Sequence, residues 1–239
     1  MIQSLFASRN FKTVSVVVTN RLGGVSLPPF AQLNLAEHVG DELAAVTSNR
    51  QLLTKYLTAS EAKFISAVHG NQVQVVDLHT EVKPGDGLVS TATNTALIAL
   101  AADCATFALI DEVAGVIAVG HCGWQGLAAQ LPKMLIGTFE QQGARPASSV
   151  AVVGPTICGS CYQVPAERVS AVHAVCPAAV QDENHLDIAR GVTSVLTAHG
   201  IEVENLGSCT VENSQLYSYR RDGVTGRHAL AVIRRGSED

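Results

Sequence analysis

Nowhere does the sequence approach the roughly 18 consecutive apolar residues needed to span a bilayer, and its opening stretch, MIQSLFASRNFKTVSVVVTNR, lacks the long apolar segment of a signal peptide. It has no block of like charges: 16 Lys and Arg against 21 Asp and Glu leave a net charge of -5, which argues against a protein that tracks a nucleic-acid backbone. These absences lead us to expect a soluble, cytoplasmic chain whose partner is a small molecule or a protein, with no nucleic acid and no membrane. Cysteine is scarce. The six residues, at 104, 122, 158, 161, 176 and 209, are too few to staple 239 residues and show no framework spacing, so in a reducing cytosol they are thiols or metal ligands. Internal repeats, low-complexity segments and Pro/Gly/Ser linkers are also missing, which predicts one domain over 1–239.

What the chain does have is apolar content, 47% of its residues, enough for a large core. Short apolar runs read as buried strands: TVSVVVT, KFISAV, QVQVVD, ALIALAAD, TFALID, GVIAVG, SVAVVG and HALAVIR. Helical patterns lie between them at 41–58, 124–142, 165–177 and 186–199. Some strands follow one another directly while others alternate with helices. That predicts an α+β (mixed α/β) fold with a mixed sheet or two sheets covered by helices.

Three of the apolar runs lead into metal-competent side chains. KFISAV runs into His69, ALIALAAD into Cys104 and GVIAVG into His121, as if three strand ends converged. Two imidazoles and a thiolate suit Zn²⁺, and three protein ligands leave a fourth position for water or substrate. Each residue also has a plainer reading: a His beside Gly as a turn residue, a Cys in an alanine-rich strand as a small buried hydrophobe. No short motif of fixed spacing joins the three.

Ordered motifs run along nearly the whole chain: NRLGGVSLPPFAQLNLAEHVGDE at 20–42, NR at 49–50, VHGNQVQVVD at 68–77, GDGLVS at 85–90, ADC at 102–104, GHCGWQGLAA at 120–129, VGPTICGSCYQV at 153–164 and CTVENSQLYSYRRDGVTGRHA at 209–229. In these the chain resembles the YfiH-like family, also called the laccase-domain or polyphenol-oxidase family. The resemblance implies metal ligands at His69, Cys104 and His121, and a fold with β layers sandwiched between helices, like that of the cytotoxic-necrotising-factor deamidases. One departure is Gln125, where the family usually has arginine after Gly-Trp. If that arginine contacts an anionic substrate its loss weakens the contact; if it is a surface residue nothing follows.

The family names imply different activities. A multicopper oxidase needs many imidazoles, typically in closely spaced pairs, and the eight histidines here include no His-x-His pair, although one Cys/His₂ site could take Cu²⁺. The other implied activity is zinc-dependent phosphorolysis of purine nucleosides (adenosine, inosine, methylthioadenosine) to base and ribose 1-phosphate, with adenosine deamination at the same site. A zinc hydrolase or editing factor acting on peptidoglycan precursors, and a non-catalytic metal-stabilised module with a closed fourth coordination position, remain as further readings. The usual zinc-deaminase signature is absent, so Asp103 is the acid/base candidate nearest in sequence, against the plainer role of a strand-end Asp bonded to backbone. Phosphate calls for arginine, and Arg21, Arg50, Arg220, Arg221 and Arg227 all lie in matching segments. Arg21, beside Gly23-Gly24 and without an evident charged neighbour, is the foremost choice for a phosphate ligand. Trp124 is either a wedge between helix and sheet or a stacking surface for a purine. Cys158-x-x-Cys161 has no second Cys pair and reads as incidental thiols.

Overall fold

The structure, a computed structural model, describes residue 2 and residues 5–236. Its strands are β1 (Leu5–Asn10), β2 (Val14–Thr19), β3 (Glu61–Phe64), β4 (Val73–Val75), β5 (Gly87–Ser90), β6 (Thr95–Ala101), β7 (Ala105–Asp111), β8 (Val116–Cys122), β9 (Val150–Val153), β10 (Val180–Asp182), β11 (His185–Leu186), β12 (Glu202–Asn205) and β13 (His228–Arg234). The helices are α1 (Leu43–Tyr56), α2 (Trp124–Ala128), α3 (Leu131–Gln141), α4 (Ala166–His173), α5 (Ile188–Ala198) and α6 (Tyr219–Asp222). No helix among the described residues is long and apolar enough to cross a membrane.

Two mixed sheets carry the fold. One has the order β1-β2-β13-β6-β3 and the other β12-β9-β7-β8-β5-β4, while β10 and β11 form a small hairpin. Side chains alternate across a strand, and here the alternation sorts three cores. Val16 and Val18 of β2, Leu97 and Ala99 of β6, Ile117 and Val119 of β8, and Leu230 and Val232 of β13 fill the space between the sheets. The opposite faces of β6 and β13, with Ile98, Ala231 and Ile233, pack with Leu53 and Leu57 at the end of α1. The outer face of the second sheet, with Phe107, Leu109 and Ala118, packs with Leu135 and Phe139 of α3 and Val192 and Leu196 of α5. The order is therefore helix, sheet, sheet, helices: the expected α+β fold with its β layers between helices.

Local differences have local causes. The 124–142 helical pattern is two helices, because Gln130 takes a left-handed conformation at φ +62° and turns the chain before Leu131. The KFISAV strand begins two residues earlier than expected and stops at Phe64; beyond it only Ser66 bridges to Pro84, so His69 lies in a turn and not at a strand end. In contrast, β8 runs on through His121 to Cys122, paired with Thr106 and Ala105.

His228 opens β13 fully buried, and neither ring nitrogen has a hydrogen-bond partner. Burial, with Arg227 adding repulsion, pushes its pKa down to about 3. For a base whose folded pKa lies below its unfolded value, the unfolded chain takes up a proton that the native ring cannot. The stability contribution is thus complete above about pH 6.5 and is lost as pH falls toward 3, by up to about 1.4 kcal/mol per pH unit. Between pH 6.5 and 5 the native protein should lose about 2 kcal/mol more than His228→Phe, measured by urea denaturation. Parallel pH profiles would show instead that the ring titrates freely.

Candidate metal centre and its cavity

Each of the three ligand candidates is positioned differently. Cys104 lies at the point where the chain leaves β6 in one sheet and enters β7 in the other. His121 is 4% exposed on β8, on the face turned to the other sheet, whereas Cys122 is fully buried in the core on the helix side. His69 is exposed in its turn at φ +59°. The ligand atoms of His69, Cys104 and His121 all lie within 4.8 Å of one another, with the two imidazole rings edge to face at 5.1 Å. The convergence read from the sequence is therefore present, and it joins a turn beyond β3, the crossing from β6 to β7 and the C-terminal end of β8, where His121 is the penultimate residue.

Asp86, fully buried, organises this arrangement. Its Oδ1 accepts from His69 N at 3.0 Å and pairs with His121 Nδ1 at 3.0 Å, and its Oδ2 accepts from Gly70 N at 2.7 Å and Val68 N at 3.2 Å. Three consecutive amides thus wrap one carboxylate, and that holds His69 in a left-handed backbone that costs a non-glycine residue about 1 kcal/mol or more. The same carboxylate occupies Nδ1 of His121, leaving Nε2 as the nitrogen that could ligate a metal. Burial works to raise the Asp86 pKa, but His121 and the Gly70 and Val68 amides hold it below the ordinary carboxylate value.

Burial likewise opposes ionisation of Cys104, but His121 and His69 bring its pKa down to about 6. Burial lowers that of His121, and Cys104 and Asp86 outweigh it, raising it to about 9. A thiolate is therefore available at neutral pH. Thiolate plus two imidazoles is a donor set that fits a borderline-soft divalent ion. Gly123 leaves the approach clear, since a Cβ there would come within 3.1 Å of Cys104 Sγ and 3.5 Å of His69 Cδ2.

The trio opens on a cavity of about 690 Å³, within the range of small-molecule sites. Arg50, Arg168, Arg220 and Arg227 line it together with Phe64, Tyr162, Tyr219 and His38. Of the other candidates, Asp103, Arg50 and Arg220 border this cavity, while Arg21, Arg221, Trp124 and Gln125 do not.

Several expected roles are corrected by what these side chains touch. Asp103 accepts from Thr210 Oγ1 and from Arg220 N, both at 2.6 Å, so its carboxylate clamps two loops and is not a free acid or base. Arg21 does have a charged neighbour: it lies 3.7 Å from Asp222, donates to Ala31 O and stacks over Tyr217 at 4.9 Å, away from the cavity. Arg221 is taken up by the carbonyls of Thr210, Val211, Asn213 and Leu216 and by Asp222. Trp124 packs against the core beneath α4, with the Arg168 guanidinium 5.0 Å from its ring, which makes it the wedge and not the stacking surface. Gln125 is exposed on α2, so its departure from the family pattern belongs to the surface.

Two cavity arginines are partly engaged. Arg50 donates to Leu35 O and Glu37 and covers Phe64 at 4.2 Å. Arg220 donates to the carbonyls of Cys161 and Gln163 and covers Tyr162 at 5.3 Å. Arg227 is tied only by Nη1, to the carbonyls of Thr225 and Gly226; its Nε and Nη2 make no hydrogen bond among the described residues. Sequence reasoning missed Asp86, Tyr162, Arg168 and His38. Asp86, Tyr162 and His38 lie inside the matching motifs at 85–90, 153–164 and 20–42, where nothing in the sequence set them apart from their neighbours; Arg168 lies in no motif and gave no signal.

Residues 15–235 match the family described as multi-copper polyphenol oxidoreductase laccase. The chain is 40% identical over 221 residues to the purine nucleoside phosphorylase of Streptomyces coelicolor, covering 88% of this chain and 91% of that one. It is 36% identical over 232 residues to that of Corynebacterium glutamicum, covering 92% and 94%. Among solved structures it resembles a DUF152-family protein of Neisseria meningitidis, with a TM-score of 0.87 at 26% identity over 96% of this chain and 99% of that one. YfiH of Bacillus licheniformis gives a TM-score of 0.86 at 27% identity over 93% of each chain. In sequence and in fold, the chain belongs to the YfiH-like, laccase-domain family.

Proposed function

We propose that the chain is a zinc-dependent purine nucleoside phosphorylase, converting adenosine, inosine or methylthioadenosine and phosphate to free base and pentose 1-phosphate. The observation that supports this most directly is the opening of the Cys104/His69/His121 trio onto a cavity lined by four arginines and three aromatic rings. Relatives that bear the name purine nucleoside phosphorylase match over about nine-tenths of their length.

His69, Cys104 and His121 would hold the zinc, which when bound supplies a Lewis acid that polarises an oxygen and lowers the pKa of water. Arg227 cradles the phosphate through its uncommitted Nε and Nη2, with Arg168 and Arg220 adding charge to the same wall. Tyr219, 62% exposed at the rim, offers a ring face to the purine. Adenosine deamination is a second activity of the same cavity. His38 borders it, and burial together with Arg227 and Arg50 lowers its pKa below the ordinary imidazole value, so at pH 7 its ring is neutral and accepts a proton.

An oxidase with a multicopper cluster is less well supported, because the trio contributes two imidazoles and the other candidate metal group among the described residues contains no histidine. A non-catalytic module would want a closed fourth position, whereas the trio has three ligands.

The test is to incubate metal-analysed protein with adenosine and with inosine, with and without phosphate, and identify the products. Phosphate-dependent release of base with formation of a pentose 1-phosphate supports the phosphorylase. Turnover of peptidoglycan precursors and of no nucleoside would overturn it. Arg227→Ala should lower phosphorolysis by about 10- to 150-fold in kcat/KM, the value of a charge-assisted bond made in the transition state, while keeping its zinc. Arg21→Ala, outside the cavity, should change it less than about threefold. The reverse order would move the phosphate site to Arg21.

A further inference from the structure

Three of the remaining cysteines meet in a second place. Cys158 and Cys161 lie in the loop after β9, and Cys209 and Glu212 lie 51 residues further on, in the loop after β12. The Sγ atoms of the three cysteines and a carboxylate oxygen of Glu212 all lie within 4.8 Å of one another. Each half is a tight turn that carries its residues i and i+3 to the same side. In the first, Cys161 N and Tyr162 N both donate to Cys158 O at 3.0 Å; in the second, Asn213 N donates to Cys209 O at 3.1 Å. A parallel bridge between Thr156 and Cys209 clamps the halves, with Thr156 N donating to Ser208 O at 3.3 Å and Thr210 N to Thr156 O at 3.2 Å. Across the junction, Cys158 N donates to Cys209 Sγ at 3.4 Å, and Cys161 Sγ lies 3.8 Å from Glu212 Oε1.

We propose that Cys158, Cys161, Cys209 and Glu212 form a second metal site, closed with four ligands, which takes zinc or a similarly thiophilic divalent cation as a structural clasp. Paired short spacings, Cys-x-x-Cys and Cys-x-x-Glu, delivered from two turns are the geometry of a structural zinc site. The trio at Cys104 differs in having three ligands and an open cavity. Electrostatics agree with the geometry. Burial raises the Cys209 pKa, but the backbone N–H groups of Cys158, Glu212 and Val211 bring it below the ordinary thiol value. Cys161 is pushed up to about 12 by burial and by Cys158 and Cys209, so three thiolates do not coexist here without a cation among them. Binding therefore displaces protons from the thiols. A thioredoxin-like role fits poorly, because the reactive thiol of such a pair has a depressed pKa, usually at a helix N-terminus, and neither Cys158 nor Cys161 has one.

The clasp would act on the catalytic cavity from behind. Thr210, next to Cys209, donates to the Asp103 carboxylate, and the Asp103 carbonyl accepts from Thr156 Oγ1 at 2.6 Å and Ile157 N at 3.0 Å. Arg220 Nη1 donates to Cys161 O at 3.2 Å. The two clamped loops thus hold the wall that bears Asp103, Tyr162 and Arg220, although no clasp residue lines the cavity.

Metal content of the full chain loaded with Zn²⁺ and desalted tests this. The native protein should hold about two equivalents, Cys104→Ala about one, and the Cys158→Ser/Cys161→Ser/Cys209→Ser protein about one. The Co²⁺ form of Cys104→Ala should show the intense thiolate-to-metal absorption of a tetrahedral, sulfur-rich site. Glu212→Gln, at an exposed position and with little risk to folding, should lower zinc affinity at this site roughly tenfold or more in chelator competition. One equivalent in the native protein, unchanged in the triple variant and in Glu212→Gln, would overturn the proposal. So would a mass two hydrogens below the fully reduced value, with the disulfide mapped to this cluster in metal-loaded protein.

Discussion

Cys104→Ala should remove about one equivalent of zinc per chain and lower phosphorolysis by about three orders of magnitude with the fold intact. The side chain supplies the only thiolate of the trio, and two imidazoles alone hold a divalent ion poorly. A metal Lewis acid contributes several kcal/mol to a transition state, and each 1.36 kcal/mol is a factor of ten, which gives the expected size. Folding should survive, since Cys104 is only partly buried and sits beside the cavity and not in a packed core. Cys122→Ala is the matched control. Its thiol lies in the helix-side core, where burial raises its pKa well above the ordinary value, so that variant should keep its metal and lose about 1 kcal/mol of stability to a small cavity. Metal analysis, circular dichroism and the phosphate-dependent assay on the pair decide the matter, and full zinc occupancy in Cys104→Ala would remove Cys104 from the ligand set.

Asp86→Ala should be the most destabilising single substitution around the site, by about 3–5 kcal/mol. It leaves the amides of Val68, His69 and Gly70 and the His121 Nδ1 without their shared acceptor, in a place where no water reaches the carboxylate. Asp86→Asn keeps one acceptor oxygen but sets an NH₂ group against the remaining donors. It should fold less stably and bind zinc at the trio about 10- to 100-fold more weakly, because the ligand ring is no longer oriented by a carboxylate. The pH dependence has a definite sign. The folded pKa of Asp86 is depressed, so its stabilisation is present above the ordinary carboxylate range and is lost as pH falls through the folded value; Asp86→Asn should lack that part of the acid limb. Urea midpoints with zinc competition measure both effects, and native-like values in Asp86→Asn would mean that the turn holds itself.

The sheets were more legible than the site. Runs such as HALAVIR and TFALID are apolar on both faces because β13 and β7 each lie between a helix-facing core and the core between the sheets. That burial writes itself into composition. GLVS of β5 and EVEN of β12 left no comparable mark, being four residues long and, in β12, alternating glutamates on a partly exposed edge. The break at Gln130 is a backbone conformation that a non-glycine residue does not announce. His69, Cys104 and His121 were readable from residue type and family resemblance together. Asp86 was not, because its role depends on four donors meeting one carboxylate, and no spacing encodes that. The arginines show the same limit. The sequence nominated Arg21, Arg50, Arg220, Arg221 and Arg227 with Arg21 foremost, and only the position of Asp222, the carbonyls of the 210–216 loop and the cavity wall reverse that order. The cysteine pair at 158 and 161 looked incidental because its partners are far along the chain.

The place of β13 between β2 and β6 bears on how the chain is made. Synthesis delivers β2 and β6 long before residues 228–234, so a nascent chain lacks the strand that joins them. Until it arrives, β2 and β6 each present an unpaired edge, and Val16, Val18 and Leu97 lack the Leu230 and Val232 side chains of their shared core. The first sheet can close only once residues 228–234 have emerged from the ribosome, so a product truncated before β13 keeps both edges open and is prone to aggregate.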